Sequence, residues 1–155
     1  MAEERSSLEL LIGHEAAIKR LYELYAEVFP EHRSFWETMM QEEQKHADCL
    51  QNLSSKESVR KWFLSDVRLK RLAIGGSIDY IEGQIERIKK AGINLLEALS
   101  IANDIEEALI EKQFISLNIS GPDEIKGVMK VLVADTQRHR KMIAEKLNFH
   151  KSQPR

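Results

Sequence analysis

The stretch MMQEEQKHADCL, residues 39–50, decides how this chain is read. Met39, Met40, Ala47 and Leu50 recur at helical steps and form an apolar stripe. Glu43 and His46 fall on that same stripe. A carboxylate and an imidazole turned towards a core need a physical reason, because desolvating an unpaired carboxylate is costly even after the surroundings relax.

The three- and four-residue recurrence continues on both sides. Leu8, Leu11, Ile12, Ile18, Tyr22, Tyr25 and Phe29 predict a first helix over 6–28. Trp36, Met39, Met40, Ala47, Leu50 and Leu53 predict a second over 31–53, with Pro30 suited to its first turn. The tight connection makes these two helices antiparallel. A long connection over 54–93 follows. Within it Ser54 and Glu57 have the spacing of a capping box for a short helix over 56–65, Gly75-Gly76 reads as a break, and a further helix over 78–91 ends at Gly92. Asn94 with Glu97 opens a helix over 95–118, and the SGPDE turn at 120–124 leads to a last helix over 122–147, with a frayed tail over 148–155. No strand pattern longer than a few residues interrupts this. The expectation is one all-α domain over 1–155: helix hairpins over 6–53 and 95–147, a helical crossover between them, and the second and third main helices parallel. That is the wiring of a four-helix bundle with one long connection.

The 155 residues are enough to bury a core without disulfides. Apolar content of 43% and charged content of 31% fit a globular protein, and a net charge of −2 argues for neither nucleic acid nor membrane as partner. Cys49 is the only cysteine, which excludes an internal disulfide and any CxxC-based zinc or rubredoxin-type site on these residues. With an acidic, polar start and no apolar run of spanning length, the expected location is cytoplasmic.

Each predicted stripe carries misplaced polar residues. Glu15 lies between Leu11/Ile12 and Ile18/Tyr22; Glu43 and His46 lie between Met39 and Leu50. Glu106 lies between Leu99/Ala102 and Leu109/Ile110, with Glu107 nearer the edge. Asp135, Thr136 and His139 lie between Leu132 and Met142/Ile143. The two halves echo each other: Tyr22 precedes His46 by 24 residues and Phe114 precedes His139 by 25. Converging carboxylates in an apolar setting are relieved by metal cations. A Glu and a His three residues apart can reach the same ion, and mixed carboxylate and imidazole donors suit iron, manganese or zinc better than calcium or magnesium.

HEAAIKRLYELYAE (14–27), EEQKHADCL (42–50), IANDIEEALIEKQF (101–114) and VADTQRHRKMI (133–143) together resemble the ligand helices of the ferritin-like superfamily, in particular its rubrerythrin-like members. The resemblance covers nearly the whole chain. It implies a ferritin-like four-helix bundle binding two metal ions, iron in the first instance with manganese or zinc as alternatives. Glu15 would be a terminal ligand, Glu43 a bridging one and His46 a terminal one. In the second half Glu106 or Glu107 would be the terminal carboxylate and His139 the second imidazole. It further implies an oxidoreductase that handles peroxide or dioxygen, a separate electron donor, and a homodimer. The chain departs from the pattern at Thr136, where the family has Glu; Asp135 is a shorter substitute, so the second metal position is expected to be weak, altered or empty. Two other readings follow from that departure: a non-catalytic metal-binding bundle, and a metal-free interaction scaffold using the basic segment RKWFLSDVRLKRL (60–72). For that segment the expected role is a crossover helix packing Trp62, Phe63 and Leu72. Cys49 is expected to be a small buried residue, and His14, His32 and His150 are assigned no chemistry.

Overall fold

The computed structural model describes residues 6–65, 71–108 and 122–153, and every secondary-structure element among them is helical. The chain divides into two compact units, Met1–Gly92 and Ile93–Arg155.

In the first unit α1 spans Ser7–Val28. Ser6 is extended, and its hydroxyl accepts from the Glu9 N–H at 3.1 Å, so an orphan donor of the first turn is satisfied. A single turn of 3-10 helix, Pro30–His32, with Pro at its start, leads into α2, Arg33–Ser54. Glu15 faces His46 at one level and Tyr25 packs edge-on against Trp36 at another, with ring centroids 4.7 Å apart. Partner numbers fall on α2 as they rise on α1, so the two helices are antiparallel as expected. The buried stripe matches the predicted one at Leu8, Leu11, Ile18, Tyr22, Tyr25, Trp36, Met39, Leu50 and Leu53.

The predicted capping box at Ser54 does not form. Ser54 is the last residue of α2, and its hydroxyl donates to the Gln51 carbonyl at 2.6 Å. Helix α3, Glu57–Ser65, begins instead with the Lys56 carbonyl accepting from the Arg60 N–H at 3.1 Å. The Arg60 guanidinium donates to the Ser54 carbonyl at 2.6 Å, so part of the basic segment closes the end of α2. Phe63 is buried and Trp62 half-buried, whereas Leu72 is 93% exposed, contrary to expectation. Leu72 lies two residues from the buried Ile74, which on a helix is nearly the opposite face.

Helix α4 spans Arg71–Ala91 and passes without interruption through Gly75-Gly76, where a break was expected. Ile74, Ile78, Ile81 and Ile88 form its buried face, and packing of that face outweighs the roughly 1 kcal/mol that a helical glycine costs against alanine. His14 approaches Ser77 at 2.7 Å and Arg20 approaches Glu82 at 3.2 Å, linking α1 to α4. Numbers rise together on both, so α4 packs parallel to α1 and runs antiparallel to α2. A Cβ at Gly76 would meet nothing within 4 Å. Gly76→Ala is therefore expected to stabilise the protein by about 0.5–1 kcal/mol, read as a rise of a few degrees in thermal midpoint. Gly92 ends the helix as expected. Its φ of 74° is left-handed, and its N–H reaches the Ile88 carbonyl at 2.8 Å.

In the second unit α5 spans Leu95–Ala108. Its predicted cap is present: Asn94 Oδ1 accepts from the Glu97 N–H at 2.9 Å, and the Asn94 amide donates to the Glu97 carboxylate at 3.1 Å. The expected continuation to 118, with Leu109, Ile110 and Phe114, lies outside the described residues. Helix α6, Asp123–Lys151, packs on α5 and runs beyond the expected end at 147, so the tail is helical to Lys151 rather than frayed. Asp123 and Glu124 in its first turn and His150 and Lys151 in its last complement the helix dipole. Among the described residues no helix is long and apolar enough to cross a membrane.

Candidate metal centre

The first unit brings three of the singled-out residues together. Glu15 projects from α1, and Glu43 and His46 project from α2 one turn apart, all with 2% exposure or less. His46 Nδ1 lies 3.6 Å from a Glu43 carboxylate oxygen and 3.8 Å from a Glu15 oxygen. One donor atom from each of the three lies within 4.8 Å of the others.

These separations are informative. They exceed the 2.7–3.2 Å of a good N–H···O hydrogen bond. Three donors each about 2.1 Å from a common tetrahedral ion would stand roughly 3.4 Å apart. The residues are thus spaced as ligands around a gap rather than as a closed hydrogen-bonded pair. Neither carboxylate oxygen of Glu15 has a hydrogen-bond partner among the described residues, although both are buried. Such atoms are rare in native folds and call for a partner such as an ion.

The electrostatics point the same way. Burial alone would lower the His46 pKa, but the facing Glu15 and Glu43 carboxylates overcome it and push it up to about 11. With no metal, a proton on His46 partly offsets the two buried negative charges. Two carboxylates and an imidazole form a donor set for a first-row divalent ion, and the buried Glu15 oxygens, without a hydrogen-bond partner among the described residues, fit one.

The second unit places its candidates differently from one another. Glu106 on α5 and His139 on α6 are buried and offer donor atoms within 4.8 Å of each other. Glu107 is half-buried and faces Arg140 at 3.7 Å. Asp135 is half-buried and pairs with Arg138 at 3.3 Å, while Thr136 is fully buried, its hydroxyl without a hydrogen-bond partner among the described residues. Between Glu106 and Glu107, Glu106 is the carboxylate withdrawn from solvent; between Asp135 and Thr136, it is the neutral Thr.

Two readings change. Cys49 is exposed rather than buried. His14, to which no chemistry was assigned, is 2% exposed, and its Nε2 lies 2.7 Å from the Ser77 hydroxyl. Burial pushes its pKa down to about 4, against the opposing pull of Glu43, so it is neutral at pH 7. Its partner is 63 residues away, and no local pattern announces it. Tyr22 and Tyr25 pack on Trp36 with centroids 5.4 and 4.7 Å apart, as core aromatics towards the α1–α2 turn.

Comparison with protein-family models, with characterised proteins and with solved structures finds no match to this chain.

Proposed function

We propose that this protein binds a first-row transition metal through Glu15, Glu43 and His46, and that it is a ferritin-like carboxylate protein for which iron is the first candidate. The observation that carries this reading is the convergence of two buried carboxylates and a buried imidazole at 3.6 and 3.8 Å, too far for hydrogen bonds and suited to an ion between them. The return of the chain by α4, parallel to α1, also suits a bundle with a long crossover. The Glu106 and His139 pair in the second unit supplies the donor types that the resemblance implies for a second ion.

In this role Glu43 and His46, on successive turns of one helix, bind from one side, and Glu15 closes the set from α1. Burial excludes bulk water and strengthens every charge interaction at the site. Bound iron would supply redox chemistry, passing one electron per ion to an oxidant such as peroxide and being restored by a separate electron donor.

A second reading, a single-ion protein without redox turnover, is favoured by one observation. In the second unit the buried position before His139 is Thr136, and Asp135 is engaged by Arg138.

Elemental analysis of the full chain purified without chelator tests the proposal. Wild type is expected to carry metal and Glu43→Ala to lose it; equal, near-zero contents after incubation with ferrous, manganous and zinc salts would end the metal reading. Two ions per chain with a fast absorbance change on adding peroxide to the ferrous form favour the redox protein. One ion without that change favours the single-ion protein.

A further inference from the structure

We propose that the part-buried hydrogen bond between His14 and Ser77 is a positioning device that sets where the Glu15 carboxylate lands, so that α4 controls metal affinity without supplying a ligand. This rests on the metal reading above.

Successive residues on a helix point about 100° apart. His14 faces α4 while Glu15, the next residue, faces α2. Rotation of α1 about its axis therefore moves both together. A carboxylate roughly 6 Å from the helix axis shifts by about 1 Å for a roll of about 10°, whereas metal–ligand distances tolerate only about 0.2 Å. No hydrogen bond to the Glu15 oxygens restrains them among the described residues, so their position depends on how α1 itself is held.

The His14–Ser77 bond is suited to holding it. It is short, at 2.7 Å, and His14 is almost completely withdrawn from water, so solvent reaches the bond only from the half-buried Ser77. A hydrogen bond also has a direction that apolar contacts lack. A leucine at position 14 would serve packing alone and would avoid leaving Nδ1 buried without a hydrogen-bond partner. The polar pair thus gives up some stability for a fixed rotation. The Arg20 to Glu82 pair between the same helices has about half of each side chain accessible, and exposed pairs of this kind restrain little.

Cobalt(II) is the probe, because its visible bands report the number and arrangement of ligands. Full-length wild type, His14→Leu, Ser77→Ala, Ser77→Thr and Glu82→Ala are titrated with cobalt against a competing chelator, and thermal unfolding is followed without metal. His14→Leu and Ser77→Ala are expected to bind about 10- to 100-fold more weakly, with altered cobalt bands; the unfolding midpoint of His14→Leu is expected to be no lower than that of wild type, and that of Ser77→Ala to be lower, because it leaves the buried imidazole without its partner. Ser77→Thr, which keeps the hydroxyl, recovers affinity, and Glu82→Ala binds as wild type does. Wild-type affinity and bands in both His14→Leu and Ser77→Ala would overturn the positioning role and leave the metal reading intact. Loss of affinity that only tracks loss of fold across these variants would overturn it as well. Absence of cobalt binding by wild type would overturn both.

Discussion

His46→Ala is expected to cost the metal-free protein about 3–5 kcal/mol at pH 7, the range for removing one partner of a buried charge cluster. His46 lies within 4 Å of both Glu15 and Glu43, and all three are shielded from water. Without it the buried Glu15 carboxylate loses the imidazole that faces it. Replacing Glu15, Glu43 and His46 together by leucine removes all three ionisable groups and is expected to restore or exceed wild-type stability while abolishing metal binding. Urea unfolding in the presence of a chelator measures both variants. A His46→Ala protein as stable as wild type would show that the carboxylates do not depend on the imidazole. The same cluster sets a pH dependence. The His46 pKa is raised from 6.5 to about 11, so its stabilising contribution is complete below pH 6.5 and declines as pH rises towards about 11. Metal-free protein should therefore lose stability over that alkaline window, and the His46→Ala variant should lack this loss.

Metal binding should reverse that pattern. A ligand imidazole must give up the proton that His46 holds at neutral pH, so each ion bound at the triad is expected to release about one proton. Linkage then makes affinity rise about tenfold per pH unit in the neutral range. At a free metal concentration of 100 times Kd the stability gain is about 2.7 kcal/mol. Calorimetric titration with cobalt in two buffers of different ionisation enthalpy counts the protons, and thermal unfolding across pH with and without metal gives the stabilisation. Binding without proton release would mean that His46 is not a ligand.

The helices were legible wherever an apolar stripe coincided with punctuation. The boundaries of α1 and α2 follow from Leu8 to Tyr25 and Trp36 to Leu53, and the Asn94–Glu97 cap formed as its spacing predicted. The first part of α4 was missed because Gly75-Gly76 weigh heavily as local signals, while the burial of Ile74 and Ile78 is a tertiary fact. The Ser54 capping box failed for a related reason: the spacing was right, but α2 had not yet ended.

At the site, Glu15, Glu43 and His46 were legible because each violates an apolar stripe, and all three are buried. The choice between Glu106 and Glu107 was not legible. They are adjacent, and only packing shows that Glu107 lies beside Arg140 while Glu106 is withdrawn from water. No local pattern marks His14, because its partner lies on another helix 63 residues away.

The exposure of Cys49 has a practical side. It is the chain's sole thiol, it is accessible, and it lies three residues beyond His46 on the same helix, a rise of about 4.5 Å. A maleimide dye can be attached there and nowhere else in the protein without engineering. Paramagnetic ions quench fluorophores at such short range, so occupancy of the triad becomes readable as emission from the native sequence.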